Sequence, residues 1–216
     1  MTAANLQESE TLPAEQRSGR REQNKAENRA ALLKAARTVF AEIGYDAAGV
    51  RDIVRRTDLA SGTFYNYFKD KAEIFAAVIA ELSGELLTRH RQGEGRNTAR
   101  TAEEFLHRHC SVYFRFVAED PEILAFGRNN VTPIRNLIRK PEMEVLADAF
   151  KEDVKSAMER GVLPKADLGY LIAAISGVVF EVSVVMALRD PVDPDEAADF
   201  ATRLLVNGLS NLRNSR

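Results

Sequence analysis

Between Val50 and Lys71 the chain reads VRDIVRRTDLASGTFYNYFKDK. Thr63, Tyr65, Asn66 and Tyr67 gather hydroxyl and amide groups beside the cations Arg51, Arg55, Arg56, Lys69 and Lys71. Groups of this kind hydrogen-bond base edges and phosphates: Asn pairs with adenine, and Thr or Tyr meets either a thymine methyl or a phosphate. Arg51 suits a guanine edge or the backbone. Lys71, in the first turn of a following helix, suits a phosphate. Two short helices joined by a tight turn, the second lying in a major groove, would use these residues together.

The surrounding elements must hold that second helix outward. Leu32, Leu33, Ala36, Val39, Phe40 and Ile43 recur on one face of a helix beginning near Lys25, and Gly44 stands where a C-cap is expected. A bracing helix is predicted from Gly49 or Val50, burying Val50, Ile53 and Val54, and a recognition helix from about Ser61 to Phe68. Phe64 and Phe68, four apart, face inward against Leu59, Ile53 and the first helix, leaving Thr63, Asn66 and Tyr67 outward and Tyr65 at the flank. A longer helix follows, with Ile74, Phe75, Val78, Ile79, Leu82 and Leu86 as its apolar stripe.

At 216 residues, 45% hydrophobic and 29% charged, the chain suits a small domain attached to a larger one, with a core and a solvated surface. The net charge of −2 conceals an asymmetry: residues 16–71 carry twelve Lys or Arg against seven Asp or Glu, whereas residues 93–216 carry sixteen against nineteen. Phosphate binding requires a basic face and not a basic protein. Cys110 is the single cysteine, which excludes an internal disulfide and suits a reducing cytoplasm. The absence of an uninterrupted apolar run of about eighteen residues leads us to expect no membrane span, and the polar N-terminus lacks a signal-peptide core. A bacterial cytoplasmic, nucleoid-associated location is expected.

Residues 1–22 are expected to form a mobile tail ending in Arg17, Arg20 and Arg21, with Lys25 following; it reads either as solvated tail or as a basic arm on DNA. The predicted division continues with a helix-turn-helix at 23–71, a connecting helix at 72–92, a joint at Gln92–Gly95 and a helical domain at 93–216. Within the last, helical stretches are predicted near 100–118, 121–128, 131–160, 165–189 and 194–213, with Pro121 and Pro194 starting new helices. Alternating strand patterns and repeats are absent from the sequence. The predicted fold class is all-α.

Residues 25–80 closely resemble the N-terminal DNA-binding domain of TetR-family transcriptional regulators. The resemblance rests on the run AARTVFAEIGYDAAGVRDIV, on Gly62-Thr63-Phe64-Tyr65-Asn66-Tyr67-Phe68, and on Lys71 with Glu73 and Ile74 after it. It implies that Arg51, Ser61, Thr63 and Tyr65 approach bases and that Tyr67 and Lys71 hold phosphates. With Gly62 and Asn66 these make up the candidate DNA-contact set. Three positions depart from the family pattern. Ala48 and Gly49 stand where a Thr or Ser often contacts phosphate, leaving only the Gly49 backbone N–H. Asp58 replaces a turn glycine but tolerates a left-handed conformation, and Ala60 replaces a serine, so that Ser61 is expected to share the capping.

The resemblance also implies that the C-terminal helices bind a small molecule and form a dimer. Leu168, Leu171, Ile172, Ile175, Val178, Val179, Val182, Val185 and Met186 make one late helix apolar nearly all round, and Phe200, Leu204, Leu205, Leu209 and Leu212 stripe the last. Such helices suit a twofold four-helix interface, with Leu171, Ile175, Val178, Val182, Leu204, Leu205 and Leu209 as candidates and Gly169 and Gly177 allowing close approach. Glu181, inside the apolar run, is expected to reach an arginine at the dimer edge or a ligand. Candidate ligand-binding residues are Phe105, His109, Tyr113, Phe116, Phe126 and Phe150, and Arg115, Arg128 and Arg135 could meet an anionic group. His107, His109 and Cys110 do not read as a metal site, because i and i+2 point apart on a helix. Neither a cofactor nor a catalytic constellation is expected.

The expected partners are double-stranded operator DNA, a second copy of the chain and an unidentified, largely apolar effector. The functional reading is a homodimeric repressor released from its operator by that effector. A ligand-insensitive regulator or activator is the alternative, and a helical enzyme carrying a DNA module is a third reading from another class.

Overall fold

The computed structural model describes residues 14–92, 99–138 and 144–213, and among these the regular elements are all helical. Residues 1–13 of the expected tail and the Gly93–Gly95 joint lie outside them, as does the side chain of Leu212. Helix α1 runs Ala14–Ala47. It therefore overturns the expected tail over residues 14–22. After Pro13 the segment AEQRSGRREQNK contains no proline and is rich in Glu, Gln, Arg and Lys, which favour helix even without an apolar stripe.

The helix is broken at Gly44, with φ 76 and ψ 164, a combination essentially restricted to glycine. A Cβ there would also lie 2.9 Å from the Asn129 carbonyl oxygen. Gly44→Ala is accordingly expected to cost about 3 kcal/mol, read as a lowered urea midpoint with unchanged slope.

Helix α2 is Val50–Val54, and a 3₁₀ helix at Ser61–Asn66 takes the place of the predicted recognition α-helix. Gly62 and the aromatic residues Phe64 and Tyr65 give this segment poor α-helical propensity, and short helices of this kind commonly adopt the tighter form. Then come α3 (Lys71–Gln92), α4 (Ala102–Glu119), α5 (Pro121–Asn129), α6 (Val131–Leu137), α7 (Glu144–Glu159), α8 (Leu168–Ala187) and α9 (Pro194–Arg213). The stretch expected at 131–160 is thus two helices, with Lys140-Pro141 in the sequence between them. Side chains of Thr101, Asp120 and Asp167 cap α4, α5 and α8.

Buried side chains form three clusters. The first joins Phe40, Ile53, Phe64, Phe68 and Phe75 of the helix-turn-helix and α3 to Phe116, Ile123, Phe126 and Leu137. A boundary at residues 92–93 therefore cuts through continuous core, because α5 packs on α1. Phe126 stacks on Phe75 with centroids 5.6 Å apart and meets Phe40 edge-on at 6.4 Å. The second cluster joins Phe105 and Leu106 to α7, α8 and α9.

The third cluster surrounds Cys110, Phe114 and Met186. Burial pushes the Cys110 thiol up to about 11, and the nearby Thr202 hydroxyl, whose oxygen makes no well-formed hydrogen bond, opposes this only in part. Because the folded value lies above that of the unfolded chain, the associated stability is complete below about pH 8.5 and is lost as pH rises toward 11. Unfolding free energy should decline by about 3 kcal/mol across that window, and Cys110→Ala should flatten the decline.

Candidate nucleic-acid interface

The 3₁₀ helix is held from behind. Phe64 and Phe68 are 0% and 2% exposed within the first cluster, and the Phe68 N–H donates to the Phe64 carbonyl at 3.0 Å. This anchoring turns Tyr65 out at 63% exposure, with Gly62 and Asn66 also exposed and Thr63 partly so. Tyr67 is half-buried, its hydroxyl accepting from Asn28 Nδ2 of α1 at 3.2 Å. Arg51 and Arg55 are exposed on and just after α2, whereas Arg56 pairs bidentately with Glu42 of α1.

The turn between the two short elements is built differently from the expectation. No non-glycine residue among those described has a positive φ, so Asp58 does not adopt the left-handed form. Instead the Thr57 hydroxyl donates to the Val54 carbonyl at 2.9 Å and accepts from the Leu59 N–H at 3.3 Å. Ala60 occupies the N-cap of the 3₁₀ helix and, being alanine, offers no capping side chain; the Ser61 side chain lies outside the described residues. The Gly49 N–H, the remaining donor at that position, is taken by the Asp52 carboxylate at 2.9 Å.

Lys71 also has an internal function. Its ammonium donates to the carbonyls of Tyr45 at 2.6 Å and Ala48 at 2.8 Å, and lies 4.3 Å from the Tyr45 ring centroid. It staples the turn between α1 and α2 to the start of α3, leaving one of three ammonium donors for another partner.

The sequence gives no warning of the contacts that fasten this unit to the C-terminal helices. Asn130, 0% exposed, donates to the carbonyls of Phe40 and Phe126, both at 2.8 Å, and accepts from the Tyr45 N–H at 2.6 Å. Asn129 donates to the Ala41 carbonyl at 2.6 Å. Together they satisfy carbonyls left unpaired by the end of a helix. Farther along the seam, Arg37 meets Asp120 at 2.6 Å and Glu122 at 2.9 Å, and the Thr38 hydroxyl donates to Glu122 at 2.7 Å.

The candidate ligand residues divide into three groups. Phe105, His109 and Phe150 come together, with ring centroids 4.3 Å and 5.5 Å from His109, and His90 lies 5.1 Å away. His109 Nδ1 donates to the Phe105 carbonyl at 2.8 Å, which leaves Nε2 facing Asp153 at 3.8 Å. Phe116 and Phe126 instead belong to the first cluster, beside the helix-turn-helix core. Tyr113 stands between the first and third clusters; desolvation raises its pKa, partly offset by a hydrogen bond with Ser183. Arg115 pairs with Asp195, Arg135 with Glu181 and His107 with Asp199. Glu181 is exposed and paired with an arginine of its own chain, Arg135.

The candidate dimer residues also separate. Leu171, Ile175, Leu205 and Leu209 are buried in the second cluster, Val178 and Val182 are half-buried, and Leu204 is 51% exposed. Tyr170, Val185, Leu188 and Phe200 are exposed large side chains; Val185 and Phe200 belong to the expected apolar stripes, whereas Tyr170 and Leu188 do not. Helix α8 is long and apolar enough by composition to cross a membrane, although Glu181 interrupts its apolar run.

The fold and the anchored 3₁₀ helix define a helix-turn-helix DNA-binding regulator with a C-terminal helical domain. Residues 32–78 match the family described as bacterial regulatory proteins, tetR family, and over most of its length the chain is similar to helix-turn-helix transcriptional regulators. It is 27% identical to the fatty acid metabolism regulator protein of Bacillus subtilis over 83% of this chain and 94% of that one. It is 26% identical to the transcriptional activator FasR of Mycolicibacterium smegmatis, over 88% of this chain and 86% of that one. The crystal structure of FadR from Bacillus subtilis in complex with stearoyl-CoA superposes with a TM-score of 0.66 at 22% identity, covering 83% of this chain and 98% of that one.

Proposed function

We propose that this chain is a homodimeric repressor whose 3₁₀ helix reads one major groove per half-site and whose C-terminal helices bind an apolar, acyl-bearing effector. The observation that carries the DNA reading is Phe64 and Phe68 buried behind an outward Tyr65, Asn66 and Thr63. Arg51, Ser61, Gly62, Tyr67 and Lys71 complete the proposed contact set, Lys71 through its remaining donor. The effector class is supported by the likeness to the fatty acid metabolism regulator protein of Bacillus subtilis, and Phe105, His109 and Phe150 would border its site.

Dimerisation is supported by the apolar side chains left open on α8 and α9, and by Gly177, around whose Cβ position there is open space. The proposed interface therefore centres on Tyr170, Gly177, Val185, Phe200 and Leu204, with Val178 and Val182 behind them. Sedimentation should show twice the monomer mass.

An effector acts only by differential affinity for the DNA-competent and incompetent states. Long-chain acyl-CoA added to a gel-shifted complex with the chain's own upstream region should release the DNA. Retention at saturating acyl-CoA contradicts that effector class. Tighter binding upon addition would favour the activator reading, which the likeness to FasR supports.

A further inference from the structure

We infer that the N-terminal turns of α1 form a second DNA-contacting element, in which Arg21, Lys25 and Arg29 hold phosphates flanking the half-site. This deepens the reading of the chain as a DNA-binding regulator and rests on it. Lys25, Arg29, Leu32, Ala36 and Val39 follow one another at spacings of four and three, so they lie along one face of α1. Leu32, Ala36 and Val39 are 0–2% exposed and pack into the helix-turn-helix core. Toward the N-terminus the same line turns basic, continuing from Arg29 to Lys25 and Arg21 after the core has ended.

Two contacts fix where that basic line lies. Asn28 donates to the Tyr67 hydroxyl, and the Arg29 guanidinium carbon is 5.4 Å from the Phe68 ring centroid. The line thus begins beside the recognition segment. From Asn28 to Arg21 the helix extends roughly 10 Å beyond it, at about 1.5 Å per residue. That reach corresponds to about three base-pair steps along a duplex, where the accessible groups are phosphates.

Charge supports the same partner. Arg21, Lys25 and Arg29 are exposed, and none forms a salt bridge among the described residues. Of the nearby acids, Glu27 is held by Gln23 on another face at 3.0 Å. A helix that carries an unneutralised basic line past its own core, in register with the reading element, fits a polyanion on the same side.

The test uses full-length protein and a duplex selected by the wild type from random-sequence DNA, in a minimal form and in one extended by ~5 bp at each end. Binding is followed by anisotropy between roughly 50 and 200 mM salt. Arg21→Ala with Lys25→Ala should lower the salt slope on the extended duplex by about 2 per protomer and weaken binding at least tenfold. The minimal duplex and the sequence preference should be unaffected, and Arg21→Lys with Lys25→Arg should restore both slope and affinity. Alanine favours helix more than either native residue does, so the loss cannot come from unravelling α1. Unchanged slope and affinity on the extended duplex, with specific binding by the wild type, overturn this inference alone. Failure of the wild type to select any duplex overturns the regulator reading and this surface with it.

Discussion

Asn130→Leu is expected to lower the unfolding free energy by about 4 kcal/mol, because leucine fills a similar volume while removing three hydrogen bonds at once. The carbonyls of Phe40 and Phe126 and the N–H of Tyr45 would all lose their partner, and Asn130 itself is fully buried. Leucine also excludes the water that would otherwise substitute, so each group bears its desolvation penalty of about 1–3 kcal/mol. At 2–4 °C per kcal/mol the melting temperature should fall by roughly 10 °C. A loss below about 1 kcal/mol would show that the end of α1 is satisfied in another way. The amide orientation follows from its surroundings: Nδ2 faces two carbonyls and Oδ1 faces an N–H.

Tyr65→Ala combined with Asn66→Ala should abolish sequence preference and reduce specific affinity at least 100-fold, at about 1–3 kcal/mol for each base contact. Both residues are exposed, and neither side chain has a hydrogen-bond partner among the described residues, so their loss removes nothing that the folded chain needs except the edge contact of Tyr65 with Phe64. Stability should change by less than about 0.5 kcal/mol. Nonspecific, salt-dependent binding should persist, since it comes from the cations. Anisotropy with specific and scrambled duplexes, beside a melting curve, separates these effects. A variant that keeps its sequence preference would remove the 3₁₀ helix from the reading role.

The sequence made the helix-turn-helix legible because its signals are local and periodic. Phe64 and Phe68 are four apart, their polar neighbours have nowhere to go but outward, and Gly44 ends a striped helix where a positive φ is needed. The seam was not legible. Asn130, Asn129 and Arg37 act on groups more than eighty residues away in the chain, and their value depends on which carbonyls the end of α1 leaves open. Nor could the sequence reveal that Phe116 and Phe126 pack into the first cluster while Phe105 packs into the second. An all-round apolar α8 likewise could not reveal that Leu171 and Ile175 turn inward while Tyr170 and Val185 turn out. The turn was misjudged for a related reason: the Thr57 hydroxyl, and not a left-handed Asp58, closes it, and Asp52 takes the N–H left open at Gly49.

The most direct test of the central claim is a competition between the chain's own upstream region and a scrambled duplex of equal length, at about 150 mM salt. Sequence-specific recognition through the 3₁₀ helix predicts roughly a 10³-fold preference for the genuine site, lost when Tyr65 and Asn66 are replaced by alanine. Equal binding to both duplexes by the wild-type protein would contradict it.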